Sequence, residues 1–128
     1  MSRNGLSGRG SDTGSAKHGV DHWWAQRVSA AALVPLGVWF VVSLLSIPTI
    51  NYLTIGTWMS RRWNTLLLVA LLLTAAQHSY LGLRVVFEDY MHHRGRRIAM
   101  LLFLQLAHTL IAAAAVIAVF KVAFGDLA

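Results

Sequence analysis

Three titratable side chains in the segment HSYLGLRVVFEDY, residues 78–90, are the first candidates for chemistry. His78 interrupts a long apolar run, and Asp89 and Tyr90 close that run. An imidazole inside a membrane span can hydrogen-bond a neighbouring helix, ligate a heme iron or relay a proton. The residue types alone leave all three interpretations of His78 open. Asp89 and Tyr90, with His92 and His93, are equally typical of a solvated interfacial loop.

Helical geometry would place the histidine and the carboxylate on one stripe. Eleven residues at about 100° each bring a helix back to nearly the same direction, so His78, Gly82, Val85 and Asp89 align. At a rise of about 1.5 Å per residue, His78 lies roughly 16 Å below Asp89, within the bilayer. A polar group at that depth usually faces a partner helix or a cofactor. Gly82 removes a side chain beside His78, where a flat group could approach.

Two further polar intrusions have competing interpretations. Gln105, His108 and Thr109 share one face of a later apolar run, a pattern that favours hydrogen bonding between helices. The alternative makes His108 a cofactor ligand in place of His78. Arg27 stands at the mouth of the first apolar run, either as a snorkelling charge or as a partner for a carboxylate-bearing cofactor.

Composition indicates a membrane protein. The chain has 128 residues, of which 56% are hydrophobic and 12% charged, whereas soluble domains carry about a quarter charged residues. The formal charge of +6 flanks apolar runs and forms no continuous basic face, so it argues against nucleic-acid binding. The absence of cysteine excludes thiolate-held iron–sulfur clusters and zinc sites in this chain. No GxGxxG or Walker-type loop indicates a dinucleotide or nucleotide site.

The apolar runs predict an all-α membrane protein with three spans, at about 29–47, 64–87 and 98–120. Residues 1–20, rich in glycine and serine, predict a disordered cytoplasmic tail. Residues 21–128 are predicted to form one membrane unit that contains the three spans. The segment 46–63 is predicted as a loop, and residues 88–97 as a short polar connection.

Orientation follows from the distribution of lysine and arginine. Eight basic residues fall on the side of the N-terminus and the 88–97 connection, and three on the other: Arg61, Arg62 and Lys121. The positive-inside rule therefore places the N-terminus in the cytoplasm, or in the matrix of a mitochondrion. Trp23 and Trp24 on one side, and Trp58 and Trp63 on the other, suit interfacial belts.

The combination of HSYLG at residues 78–82 with Asp89 and Tyr90, in the second of three spans, resembles a known family. It is similar to the D-type hydrophobic membrane-anchor subunit of succinate dehydrogenase, respiratory complex II. The stretch HGVDHWWAQRVSAAALVPLGVWF also resembles the first span of alphaproteobacterial members. The resemblance covers about residues 19–125.

The resemblance implies specific site residues. His78 corresponds to an axial ligand of a b-type heme that is shared with a second anchor subunit. Tyr90 corresponds to the tyrosine that hydrogen-bonds a ubiquinone carbonyl, with Asp89 beside it. Arg27 corresponds to an arginine near the heme propionates. A phenol donor suits the quinone role, because its hydrogen bond strengthens as negative charge develops on the quinone oxygen.

The family also implies partners, and it makes the three-span anchor part of a heteromeric helical bundle. Succinate oxidation would take place on a flavoprotein and an iron–sulfur subunit, so this chain would be a non-catalytic anchor in the tricarboxylic acid cycle and electron transport. The expected location is a bacterial inner membrane, with the mitochondrial inner membrane as the alternative. Two other functions stay open: a small proton-linked transporter using His78 and His108, and a cofactor-free scaffold. The roles of His22, His92, His93 and His108 are not assigned.

Overall fold

The computed structural model describes the backbone of residues 12–125 and the side chains of residues 16–125. Over that range the chain forms four α-helices and no strand: α1 (Asp12–Leu45), α2 (Tyr52–Ser60), α3 (Arg62–Tyr90) and α4 (Arg94–Phe124). Three of them, α1, α3 and α4, are long and apolar enough to cross a membrane. At about 1.5 Å per residue, each is about as long as a bilayer with its headgroups is thick. The predicted three-span, all-α fold is confirmed.

The third helix is the centre of the arrangement. It packs against α1 on one side and α4 on the other, and α2 rests against α3 and α4. Few side chains are buried by this packing; Leu81 of α3 and Leu104 of α4 are two of them. Large apolar side chains stay exposed along every span, among them Val34 at 66% and Phe103 at 67%. Such a surface is stable only against lipid or partner helices.

Helix boundaries differ from the predicted spans. Residues 12–20, which we predicted as part of the disordered tail, form the first turns of α1, and residues 1–11 lie outside the described range. Extending a helix from an apolar segment costs much less than nucleating one, so the tail can continue it. At the other end, the predicted 88–97 connection shortens to residues 91–93, because α3 and α4 extend into it from both sides.

The predicted loop between the first two spans contains a helix, α2. Asn51 is its N-cap: the side chain of Asn51 accepts a hydrogen bond from the Thr54 amide at 2.9 Å. The Thr54 hydroxyl accepts one from the Asn51 amide at 3.1 Å, which completes a capping box. This reciprocal pair satisfies two amides that would otherwise lack partners at the start of a nine-residue helix.

Trp58 fastens α2 to the end of α1. Its ring stacks on Trp39 with centroids 5.9 Å apart, and its Nε1 donates to Oγ of Ser43 at 2.7 Å. With 9% of its surface exposed, Trp58 is a packing residue and not the belt residue that we predicted. Trp63, 73% exposed at the start of α3, remains available to a membrane interface.

Candidate functional site

Polar residues of α1 and α3 meet in an otherwise apolar helix–helix contact. Ser29 of α1 lies against His78 of α3, and Gln26 lies against Gly82. The two contacts progress in opposite directions along the two sequences, so the helices are antiparallel here. The structure therefore gives His78 a neighbouring helix, as the depth of its position predicted.

The Ser29 hydroxyl contacts both its own helix and the His78 ring, and these contacts indicate which ring nitrogen donates. Ser29 is buried, with 7% of its surface exposed, and its hydroxyl donates to the carbonyl oxygen of Gln26 at 2.9 Å. The same Oγ lies 3.0 Å from Nδ1 of His78. A hydroxyl has one proton to donate, so towards His78 the serine oxygen must accept. The geometry therefore places a hydrogen on Nδ1, and Nε2 is the ring nitrogen that remains for a group from outside the described chain.

The Nε2 atom of His78 is available to a ligand. Among residues 16–125 it has no hydrogen-bond partner, and it is not one of the buried polar atoms that lack one. An unprotonated, accessible Nε2 is the form in which imidazole binds a transition metal. The local chemistry therefore fits an axial iron ligand as well as it fits an interhelical hydrogen bond.

Two buried polar atoms close to this contact have no partner in the described part of the chain, Nε2 of His22 and Oε1 of Gln26. His22, Gln26 and Ser29 are spaced i, i+4 and i+7 on one face of α1. Buried polar groups are nearly always hydrogen-bonded in a native state. A group from outside this chain, from a partner subunit or a cofactor, is therefore expected beside this face.

The room that we predicted beside Gly82 is occupied. A Cβ on Gly82 would lie 3.6 Å from Nε2 of Gln26, an ordinary van der Waals distance. Gly82 therefore gives space to a side chain of α1 on this side, and not to a flat group.

Asp89 and Tyr90 lie at the last residues of α3, and both are exposed, Tyr90 at 81%. Because α3 is continuous from Arg62 to Tyr90, the predicted stripe from His78 to Asp89 keeps its register. No hydrogen bond engages the Tyr90 hydroxyl or the Asp89 carboxylate in the portion described. The phenol is free to donate and the carboxylate to accept.

Arg27 is not brought to the histidine. It is two residues from Ser29, about 200° around the helix, so it leaves α1 on the opposite side. Its side chain is exposed, with Cζ 5.3 Å from the ring centroid of Trp23, a cation–π contact. Any carboxylate that pairs with Arg27 must approach this outer face.

His108 makes an interhelical hydrogen bond, the interpretation that its spacing favoured. Its Nδ1 lies 2.9 Å from the carbonyl oxygen of Leu104, and its Nε2 lies 3.2 Å from Oγ of Ser79. Both ring nitrogens are therefore engaged within the chain, unlike those of His78. His78 bonds Ser29 of α1, whereas His108 bonds Ser79 of α3, and no hydrogen bond joins the two histidines among the described residues.

Sequence reasoning missed three participants. Ser29 and Gln26 pack against the predicted site, and the signal that could have found them is their helical spacing from His22. Glu88 forms an ion pair with Arg84, Oε1 to Nε at 2.9 Å. The charge of Arg84 is therefore paired with a carboxylate of its own helix.

Within residues 16–125, no three histidine, cysteine or carboxylate side chains converge on a metal-sized site. A heme iron shared by two chains needs only one protein ligand from each of them, because the porphyrin nitrogens supply the remaining bonds. The absence of a three-residue cluster therefore does not bear on the interpretation of His78 as a heme ligand.

Comparison with known proteins agrees with the architecture. Residues 7–120 match the family described as succinate dehydrogenase/fumarate reductase transmembrane subunit. Proteins named succinate dehydrogenase hydrophobic membrane anchor subunit from Rickettsia conorii and Rickettsia bellii are 31% and 32% identical, over 85% of this chain and 87% of each relative. A protein of the same name from Paracoccus denitrificans is 28% identical over 89% of this chain and 88% of its own length.

Proposed function

Because the chain belongs to the succinate dehydrogenase/fumarate reductase transmembrane subunit family, we propose that it anchors a succinate:ubiquinone oxidoreductase in the membrane. It docks a flavoprotein and an iron–sulfur subunit at the cytoplasmic face and pairs with a second membrane-anchor subunit. The exposed apolar side chains along α1, α3 and α4 support both a lipid environment and a partner helix. With no cysteine in the chain, iron–sulfur clusters belong to the partner.

The first part of the proposal is a b-type heme with His78 as one axial ligand. The observation that carries it is the Ser29–His78 hydrogen bond, which engages Nδ1 and leaves Nε2 without a partner among the described residues. When bound, the heme supplies reversible one-electron storage. His78 would hold the iron, Ser29 would orient the His78 ring, and the second anchor subunit would share the heme. His22 and Gln26 supply polar atoms that still need partners on the same face.

Arg27 as a partner for the heme propionates has the support of charge and depth alone. Its guanidinium lies on the face of α1 away from His78. The role therefore requires that a heme propionate reaches that face of α1.

The second part of the proposal is a ubiquinone site at the cytoplasmic end of α3. Tyr90 presents an exposed hydroxyl that can donate a hydrogen bond to a quinone carbonyl oxygen. Preorganised donors of this kind stabilise charge that develops on the oxygen during reduction. Asp89, adjacent and exposed, can accept a hydrogen bond or hand on a proton at the surface.

Orientation and location complete the proposal. The surplus of basic residues near the N-terminus and near residues 91–97 supports a cytoplasmic position for both, even with Arg84 paired to Glu88. The relatives come from bacteria, which supports a bacterial inner membrane.

A difference spectrum tests the heme. The whole complex is purified through a tag on this chain, and its dithionite-reduced spectrum is compared with the oxidised one. We expect a sharp b-type α-band that disappears in His78→Ala and persists in His108→Ala, the matched control with the other histidine inside a span. A band that survives in His78→Ala would show that His78 is not an axial ligand. A complex with flavin and iron–sulfur absorption but no α-band would contradict the proposed heme and leave the proposed anchor role intact.

A further inference from the structure

We infer that Ser29 is a positioning residue for His78, holding its ring in the Nδ1–H tautomer that presents a lone pair at Nε2. The inference rests on the proposed heme site for its functional meaning. The hydrogen bond itself stands on the geometry of α1 and α3.

The direction of the hydrogen bonds follows from one proton count. The Ser29 hydroxyl donates to the Gln26 carbonyl oxygen, three residues earlier in the same helix, so its proton is used. His78 must then donate through Nδ1 to the serine oxygen, which lies 3.0 Å away. A chain of donors then runs from the ring to the helix backbone, whereas a serine that donated to Nδ1 would lose its own bond to the Gln26 carbonyl and would require the ring proton on Nε2.

Burial makes this restraint strong. Ser29 has 7% of its surface exposed, so water cannot readily replace its oxygen. Ser29 is also held by its own helix through the Gln26 bond, so its oxygen is in place before the ring arrives. Along the described chain, no other acceptor lies within hydrogen-bond distance of Nδ1. A histidine without this partner is free to rotate or to place its proton on Nε2.

The expected consequence for the iron follows from what a hydrogen bond to the far ring nitrogen does to a ligating imidazole. A hydrogen bond from the far nitrogen of a ligating imidazole fixes the ring and raises its basicity. A more basic ligand stabilises ferric iron, so losing the bond shifts the heme midpoint potential to more positive values. Loss of such a partner typically weakens metal binding by about 10-fold to 100-fold.

The first experiment compares Ser29→Ala with Ser29→Thr in the purified complex. Threonine keeps a hydroxyl that can accept from Nδ1, whereas alanine keeps only the packing of Cβ. The matched control is Ser79→Ala, which removes the other serine–histidine bond of this chain, to His108 at 3.2 Å. The measurements are the midpoint potential, the g-values of the ferric heme and the rate of heme loss to apomyoglobin.

We expect Ser29→Ala to raise the midpoint potential, shift the g-values and speed heme loss by roughly 10-fold. Ser29→Thr should restore all three values towards wild type, and Ser79→Ala should leave them unchanged. A Ser29→Ala complex that matches wild type in all three would overturn the inference. Equal shifts in Ser79→Ala would also overturn it, because they would indicate general loosening of the bundle.

A second measurement reads the tautomer without heme. The full-length chain with ¹⁵N-labelled histidine, in lipid bilayers, gives nitrogen chemical shifts that separate protonated from unprotonated ring nitrogens, and His78→Gln assigns the signal. We expect Nδ1 protonated in wild type and in Ser29→Thr, and a mixture in Ser29→Ala. A wild-type His78 that carries its proton on Nε2 contradicts the inference even if the complex shows the b-type α-band. A wild-type complex whose reduced spectrum lacks the b-type α-band contradicts the proposed heme site instead, whichever tautomer is found.

Discussion

Ser29 and His78 join the first and third helices through a hydrogen bond of 3.0 Å between Oγ and Nδ1. The next residue of α3, Ser79, joins the third and fourth helices, with its Oγ 3.2 Å from Nε2 of His108. The central span is therefore tied to each neighbour by one serine–histidine pair. The pairs differ in one respect that matters for function: His108 uses both ring nitrogens within the chain, and His78 uses one.

The Ser79–His108 pair should contribute modestly to stability. We expect Ser79→Ala to lower the stability of the α3–α4 contact by about 0.6 kcal/mol, the average for polar side-chain bonds between membrane helices. Thermal unfolding followed by circular dichroism in mild detergent measures the change. Thr109→Ala is the control, because its hydroxyl bonds only to the Gln105 carbonyl in its own helix. A loss of several kcal/mol for Ser79→Ala would contradict a purely local bond.

Trp58 should contribute most to the packing of α2 against α1. We expect Trp58→Ala to cost about 3–5 kcal/mol, the usual loss for truncating a large buried aromatic residue. Trp58→Phe should cost less, about 1 kcal/mol, because it keeps a ring beside Trp39 and loses only the hydrogen bond to Ser43.

The same unfolding measurement compares these variants with Trp63→Phe, whose side chain is 73% exposed. We expect Trp63→Phe to stay within about 0.5 kcal/mol of wild type, as for most exposed positions. A Trp58→Ala variant as stable as Trp63→Phe would show that α2 is held mainly by its other contacts.

Tyr90→Phe tests the proposed quinone contact. Removing one hydrogen-bond donor from a charge-stabilising site typically lowers kcat on the order of 100-fold, so we expect a large loss of succinate:ubiquinone activity. Electron transfer from succinate to a water-soluble dye should remain, since the dye collects electrons on the partner subunits. Tyr52→Phe, at the opposite end of the spans and 71% exposed, is the matched control. Equal quinone activity in Tyr90→Phe and wild type would rule out the hydroxyl.

The predicted topology can be tested with single cysteines, because the chain has none of its own. Gly95→Cys lies just inside the start of α4, where an added Cβ meets no atom within 4 Å, and Thr49→Cys lies in the exposed segment before α2. In intact right-side-out spheroplasts, we expect a membrane-impermeant maleimide to label Thr49→Cys and to leave Gly95→Cys unlabelled until the cells are opened. The reverse pattern would place the N-terminus outside.

Much of the site could be placed from the sequence because its residues lie on one helix. The interval between His78 and Asp89 fixes their relative direction through the period of the α-helix, and α3 keeps that period without interruption. The family assignment, confirmed by the match over residues 7–120, rested on the same local pattern. The short helix α2 was missed because its capping box uses Asn51 and Thr54, a weaker signature than serine or threonine with glutamate.

The amino-acid sequence by itself determined that the chain spans a membrane three times, since apolar length and the cost of unpaired backbone in lipid leave only helices. It also determined which polar residues interrupt those helices. Only the tertiary structure decided which of them meet. Ser29 faces His78, Gln26 fills the space at Gly82, Arg27 turns away, and Glu88 pairs with Arg84. Contacts between helices depend on how each one is rotated about its axis, and that rotation is set by packing across the whole interface.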